Sequence, residues 1–474
     1  VESPRRSSRP RRILVAYTVN RLGTWLGTVA LMLAVFDETH SAVAVAALLF
    51  ASQALPAFLV PAVVARVEAS TRRRELSGLY LFEALVTAML AVLLSHFWLP
   101  AVLLLAAFDG TAALAASALL RAEVARAARD QAAALPHSAS PGDASPEQQA
   151  QAAERRANAT VNLAFSVTFV LGPVLAGVIA AGAGAPTALW IDVGSFLICG
   201  ALLIDLHPHV QIAGEASVRA RLRAAWSHIN EVPTLRRLLL VDVFALVLFE
   251  AAAPIEVTFA KVTLNAGDRG FGLLLTAWGL GAVLGSVVFA RSPRRSLGAM
   301  LSAGACAIGL AYLGFAAAPS LLVACIAALI GGVGNGVELP SLISLVQRLT
   351  PHRLHGRLMS AVESLNSLCV AIGLPLGGVL VALSSPRAAF FFIGFGLTLT
   401  SIGLLLVSRG SPEPAGERQA HPAAHEPVIV ASPAGEVQEL LQEGSAGPKR
   451  ETASQEHLAD APTTLRASNA GEAP

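Results

Sequence analysis

The chain has 474 residues, of which 54% are apolar and 14% charged, with a formal net charge of +2 and a mean hydropathy of +0.61. A soluble chain of this length carries about 25% charged residues, so the composition excludes a soluble globular protein and puts most of the chain in a lipid bilayer. No basic patch is interleaved with aromatic residues, and no nucleic-acid partner is expected.

A membrane-crossing helix needs about 20 mostly apolar residues. Twelve segments qualify: 13–36, 42–65, 77–96, 98–120, 159–182, 186–206, 238–262, 271–290, 297–317, 320–346, 358–383 and 387–408. The predicted architecture is an all-α integral membrane protein with two six-helix halves, 13–206 and 238–408. A basic arm, 1–12, precedes the first span, which is longer than a signal-peptide core and lacks a small-residue cleavage site. Residues 128–157, rich in Ala, Pro and Ser, read as a flexible insertion. Residues 207–237 link the halves, and within them Ala216–Asn230 alternates Arg219, Arg221 and Arg223 with apolar residues, a pattern suited to an anionic lipid surface. From residue 409 the chain is polar, rich in Pro, Gly, Ala and Glu, and is predicted to be disordered.

The charges orient this plan. With the N-terminus cytoplasmic, the cytoplasmic arm, turns and span ends hold 26 of the 34 lysines and arginines, and the opposite turns hold Lys261, Arg269 and Arg387. That asymmetry follows the positive-inside rule and predicts both termini on the cytoplasmic side of the cell (inner or plasma) membrane. Gly110–Gly177 and Gly331–Gly378 also share a plan: apolar segment, basic cytoplasmic loop, apolar segment, then a Gly/Pro cluster (LGPVLAGV and GLPLGGVL). One unit used twice is how many carriers are built.

An ionisable residue inside a span costs about 2.5–3.5 kcal/mol on insertion scales and so needs a reason. Asp109 lies near the middle of span 4, either as a protonatable cavity carboxylate or hydrogen-bonded within the bundle. Span 7 carries Asp242, Glu250 and Glu256, of which Glu250 is the deepest. At 3.6 residues per turn Asp242 and Glu256 fall within about 40° of each other. Glu338 in span 10 follows four glycines that permit close helix approach, and reads as a substrate contact or as the partner of Arg348 or Arg357. Arg21 is about 13 Å deeper than Arg12 along the helix, placed to pair with an acid or to hold an anionic substrate group. Glu83 and Glu363 read as gate or interface partners. Trp25 and Trp278 read as packing residues or aromatic walls. The clusters Gly172, Pro173, Gly177 and Pro375, Gly377, Gly378 bend or thin their helices and are predicted hinges.

The ordered set VNRLGTWLGTVAL, ERRANATVN, LGPVLAG, WIDVGSFLICGALL, LRRLLLV, GAVLGSVVFARSPRR and TPHRLHGRLMS resembles the major facilitator superfamily, within it the branch of enterobactin exporters and macrolide efflux proteins. The resemblance covers about 12–409. It implies two pseudo-symmetric halves around a cavity lined by spans 1, 4, 7 and 10. The activity implied is export of amphipathic compounds such as drugs or siderophores, commonly against a proton gradient, by a monomer; import by the same fold is the alternative. The sequence departs from the family in the loop after span 2, PAVVARVEASTRRRE. There Pro61 and Ala65 stand where the family has glycine and aspartate, while Arg66 keeps the gating arginine. Span 4 has Asp109 and lacks the arginine of many drug/proton antiporters.

Other classes lack their chemistry. The two lysines, Lys261 and Lys449, lie outside any GxxxxGK[ST] loop, so no ATPase is encoded here. The histidines are scattered over loops and tails, which argues against an enzyme or a metal centre. Cys199, Cys306, Cys325 and Cys369 all fall in apolar segments and read as packing residues. No cofactor is expected.

Overall fold

The computed structural model describes residues 9–60, 75–133, 146–204, 226–351 and 354–409. Among them are twelve helices long and apolar enough to cross a membrane, and no strands. In lipid only internally satisfied backbone is viable, which is why apolar runs of this length become helices. The first half holds α1 (Arg9–Thr39), α2 (Ala42–Val60, with a π-helical turn at Phe50–Ala54), α3 (Glu75–Leu93), α4 (Leu99–Ala133), α5 (Pro146–Ala183) and α6 (Ala185–Leu202). The second holds α7 (Pro233–Thr258, running on through a π-helical turn at Phe259–Thr263), α8 (Gly267–Ala290), α9 (Leu297–Ala317), α10 (Leu321–Arg348), α11 (His355–Leu383) and α12 (Pro386–Arg409).

Each predicted span is one of these helices. The largest boundary differences are at α4 and α5, which enter the 128–157 segment from both sides. Residues 134–145, most of the linker and the tail beyond 409 lie outside the described residues, as do Pro61, Ala65 and Arg66. Of the expected surface helix in the linker, residues 226–231 are described and are helical. Hydroxyls inside the spans bond back to the carbonyl one turn earlier, as Thr24 does to Asn20, Thr111 to Ala107 and Ser341 to Val337, which satisfies their hydrogen-bonding capacity within the helix.

At one end of the bundle all six connections are short. Four residues there take positive φ, namely His40 (48°), Gly184 (83°), Asn265 (50°) and Gly267 (63°), which lets the chain reverse within a few residues. This is the short-turn end. Helix packing repeats with a shift of six: α1–α5 and α7–α11, α1–α6 and α7–α12, α2–α4 and α8–α10, α3–α4 and α9–α10, α3–α6 and α9–α12. The two main contacts between halves, α5–α8 and α2–α11, exchange under the same shift. Glycines set the closest crossings: Gly281 and Gly285 of α8 lie backbone to backbone against Gly332 and Gly336 of α10.

The buried apolar residues divide unevenly. One cluster runs from the short-turn end to the middle of the bundle and takes residues from both halves, from Leu26 and Leu48 to Phe259, Tyr312 and Phe390. Towards the far end there are two clusters, one in each half. The first gathers Ile13, Tyr17, Leu76, Leu120 and Phe196, the second Leu235, Leu301, Leu342 and Leu404. The halves share a core at one end only.

Candidate functional site

The first half buries three carboxylates together. Asp109 of α4 accepts a hydrogen bond from the Thr87 hydroxyl of α3 at 2.9 Å. Glu83 lies one turn before Thr87 on the same face of α3. It is fully buried, and neither of its oxygens meets a protein donor. Asp192 of α6 is buried, accepts from Ser195 at 3.0 Å, and lays its carboxylate against Gly23 and Gly27 of α1, where an added Cβ would displace it. Each of the three feels the charge of the other two. Beside them is a cavity of about 30 Å³ lined by Thr24, Thr28, Ser52, Thr87, Asp109 and Asp192, room for about two water molecules.

Asp109 therefore faces into its own half, and Glu83, expected at a gate, lies beside it. Asp192 is absent from the sequence candidates. An acid within the apolar run WIDVGSFLICGALL was the available signal, and it carries the same insertion cost as Asp109.

Arg21 of α1 lies over the Phe165 ring of α5, 5.0 Å from its centroid, a cation–π contact. Trp25, one turn on, meets Phe169 edge-on at 5.1 Å and fills the space over Gly172.

In the second half the acids fall into two pairs. Asp242 and Glu338 interact through their charges, as do Glu250 and Glu256. The Cβ of Glu338 packs against Gly304 of α9, and that of Glu250 against Gly373 of α11. Beside the second pair is an aromatic cluster. Tyr312 stacks on Trp278 at 5.6 Å and on Phe390 at 5.7 Å, with Phe249, Phe259 and Phe315 around it. Trp278 is thus a packing residue.

The predicted hinge residues sit at close crossings. Gly177 and the Pro173 carbonyl of α5 touch Gly272 of α8, Gly377 lies under Ala251 and Pro254 of α7, and Gly378 faces Val43 and Ala46 of α2, whereas Pro375 is exposed. Among the gate candidates Glu363 is exposed on α11. Arg66 lies outside the described residues, and for Arg357 the structure describes the helix and not the side chain.

At the short-turn end Lys261 bonds both Asp37 of α1 and Asp268 of α8, each at 2.5 Å. This bridge joins the halves. In the sequence Lys261 served only to count topology, since its partners lie in other turns. Among the described residues no group of three His, Cys, Asp or Glu is placed to hold a metal ion.

The profile of the Major Facilitator Superfamily matches residues 238–443. This match covers the second half of the chain, and with twelve membrane-length helices the chain is a multi-pass membrane protein similar to that superfamily. Among curated proteins it is 26% identical over 266 residues to the multidrug efflux pump Tap of Mycolicibacterium fortuitum, covering 53% of this chain and 63% of that one. To Tap of Mycobacterium bovis (strain BCG / Pasteur 1173P2) it is 25% identical over 260 residues, covering 52% and 60%. The chain thus spans less than two thirds of the length of these relatives. Solved structures with the same fold include the nucleoside transporter NupG, with TM-score 0.65 and 11% identity over 85% of this chain and 99% of that one. Another is a bacterial homologue of the iron transporter ferroportin in an inward-facing state, with TM-score 0.62 and 17% identity over 86% and 100%.

Proposed function

We propose that the protein is a secondary active transporter that exports amphipathic small molecules, such as drugs or siderophores, by alternating access, with protons as the coupling ion. The observation that carries this reading is the uneven core: the halves share apolar packing at the short-turn end and keep separate cores at the far end. Two bodies joined at one end can rock about the pocket between them. Closure by Lys261 at the short-turn end fits a conformation open to the other side. The arginine asymmetry supports reading that side as the cytoplasmic face of the cell membrane, with both termini there. The Gly/Pro clusters at Gly172–Gly177 and Pro375–Gly378 serve as the sliding contacts and hinges of the motion. Arg66, Arg357 and Glu363 act at the cytoplasmic gate, and Glu250, Glu256, Glu338 and Arg21 line the substrate path. The relatives named as multidrug efflux pumps support export over import. Import by the same fold is the alternative.

The test is transport in inverted vesicles with an imposed pH gradient, screened across dyes, macrolides and siderophores. Wild type is expected to accumulate at least one probe. Asp109→Asn is expected to insert normally and lose gradient-driven accumulation. Normal concentrative transport by that variant would remove Asp109 from the mechanism, and wild-type vesicles that move no probe would retire the transport reading.

A further inference from the structure

We infer that the first half carries its own proton-binding site, set among α1, α2, α3, α4 and α6, in which Asp109 and Asp192 share protons through water in the adjoining cavity and Glu83, buried beside them, is coupled to both through its charge. The inference deepens the transport reading by locating its coupling ion, and it rests on that reading only for the consequence for transport.

Three carboxylates in mutual electrostatic contact, buried together, cannot all be charged unless positive charge accompanies them. None of the three has a lysine, arginine or histidine as an ion-pair partner among the described residues. Arg21, the nearest cation in sequence on α1, is directed over Phe165 of α5. The titratable groups facing the site from its neighbours are Tyr80 on α3, Tyr17 on α1 and Cys199 on α6, and α2 carries none. All of these are acids, so none supplies the missing positive charge. Among the described residues the three carboxylates do not form a group placed to hold a metal ion together, and a cation held by only two of them is an outcome the test below separates. Protons remain.

A second observation points the same way. In the same half, the hydroxyl of Tyr80, which feels the charge of Glu83, and the side-chain oxygens of Ser77 and Asn20 are buried without a hydrogen-bond partner. A buried polar group left so keeps its full desolvation penalty. Protonated carboxyls donate as well as accept. With the cavity water beside Asp109 and Asp192, they turn this region from a set of acceptors into a network that can be satisfied. Protons held in this way can be exchanged along the water without any change in the substrate path.

Infrared difference spectroscopy tests this on the full-length protein in proteoliposomes, with spectra taken between alkaline and acid medium. Wild type is expected to show a pH-dependent band from protonated carboxyl groups in a dry environment. Glu83→Gln, Asp109→Asn and Asp192→Asn are each expected to remove about a third of it or more, since coupled sites titrate together. Glu231→Gln, at an exposed position, is expected to leave the band unchanged. Three separate variants keep the test decisive where one fails to fold. Folded variants of Glu83 and Asp192 that keep the full band would overturn the inference. So would a melting temperature raised by sodium or calcium ions in wild type but not in those variants, which would make the site a metal-cation site. Because the band is read without substrate, its loss alongside absent transport would leave the proton site standing while the transport reading fell.

Discussion

Replacing Asp37 by Asn removes one leg of the bridge that Lys261 makes at the short-turn end. Only this leg joins the halves, because Lys261 and Asp268 both belong to the second. Asp37 is 51% exposed and Lys261 15%, so solvent screens the pair, and such pairs contribute about 0.2–1 kcal/mol. At about 1.4 kcal/mol per factor of ten, losing it shifts the balance between closed and open short-turn ends by up to about fivefold. The reporter is Ala46→Cys on a background without native cysteines. Ala46 is 3% exposed and faces Gly378 across the contact between halves, so a water-soluble maleimide reaches it only when that end opens. Labelling is expected to speed up by about 1.4- to fivefold in Asp37→Asn and in Lys261→Gln. Asp268→Asn should not speed it, because the Asp37 leg remains. Lys261→Gln also leaves Asp268, 19% exposed, without its partner and is expected to lose about 1–3 kcal/mol of stability. The difference from Asp37→Asn should fade at high salt. An unchanged labelling rate in Asp37→Asn, or an equal rise in Asp268→Asn, would refute the latch.

Gly332→Ala places a methyl against the Trp278 carbonyl and the Gly281 backbone, which cannot yield. A drop in melting temperature corresponding to about 1–3 kcal/mol is expected. Gly194→Ala, with nothing within 4 Å, should be neutral or stabilising by up to about 1 kcal/mol; equal melting of the two variants would contradict the close α8–α10 crossing. Phe390→Ala empties the centre of an aromatic cluster in which Phe390 is fully buried, at a cost of about 3–5 kcal/mol. Yield of monodisperse protein after detergent extraction checks it, and wild-type yield and melting would place the core elsewhere.

The number of helices, their order and their division into two sets of six could be read from the residues, because a bilayer leaves the backbone few choices and apolar length is a one-dimensional signal. Asp109, Glu250 and Glu338 stood out for the same reason: a charge in an apolar run is conspicuous. What a buried charge faces is not a property of its own segment. Asp109 turns to Thr87 and its own half, Asp192 joins it from a helix where it drew no notice, and Glu83 lies with both. Lys261 finds Asp37 more than two hundred residues away. Those partnerships follow from how glycine seams let helices approach and which faces then meet, distances set by packing between segments remote in sequence. Composition and periodicity determined that this chain crosses the membrane twelve times; only the tertiary structure decided which acids share a pocket and which end of the two halves is closed.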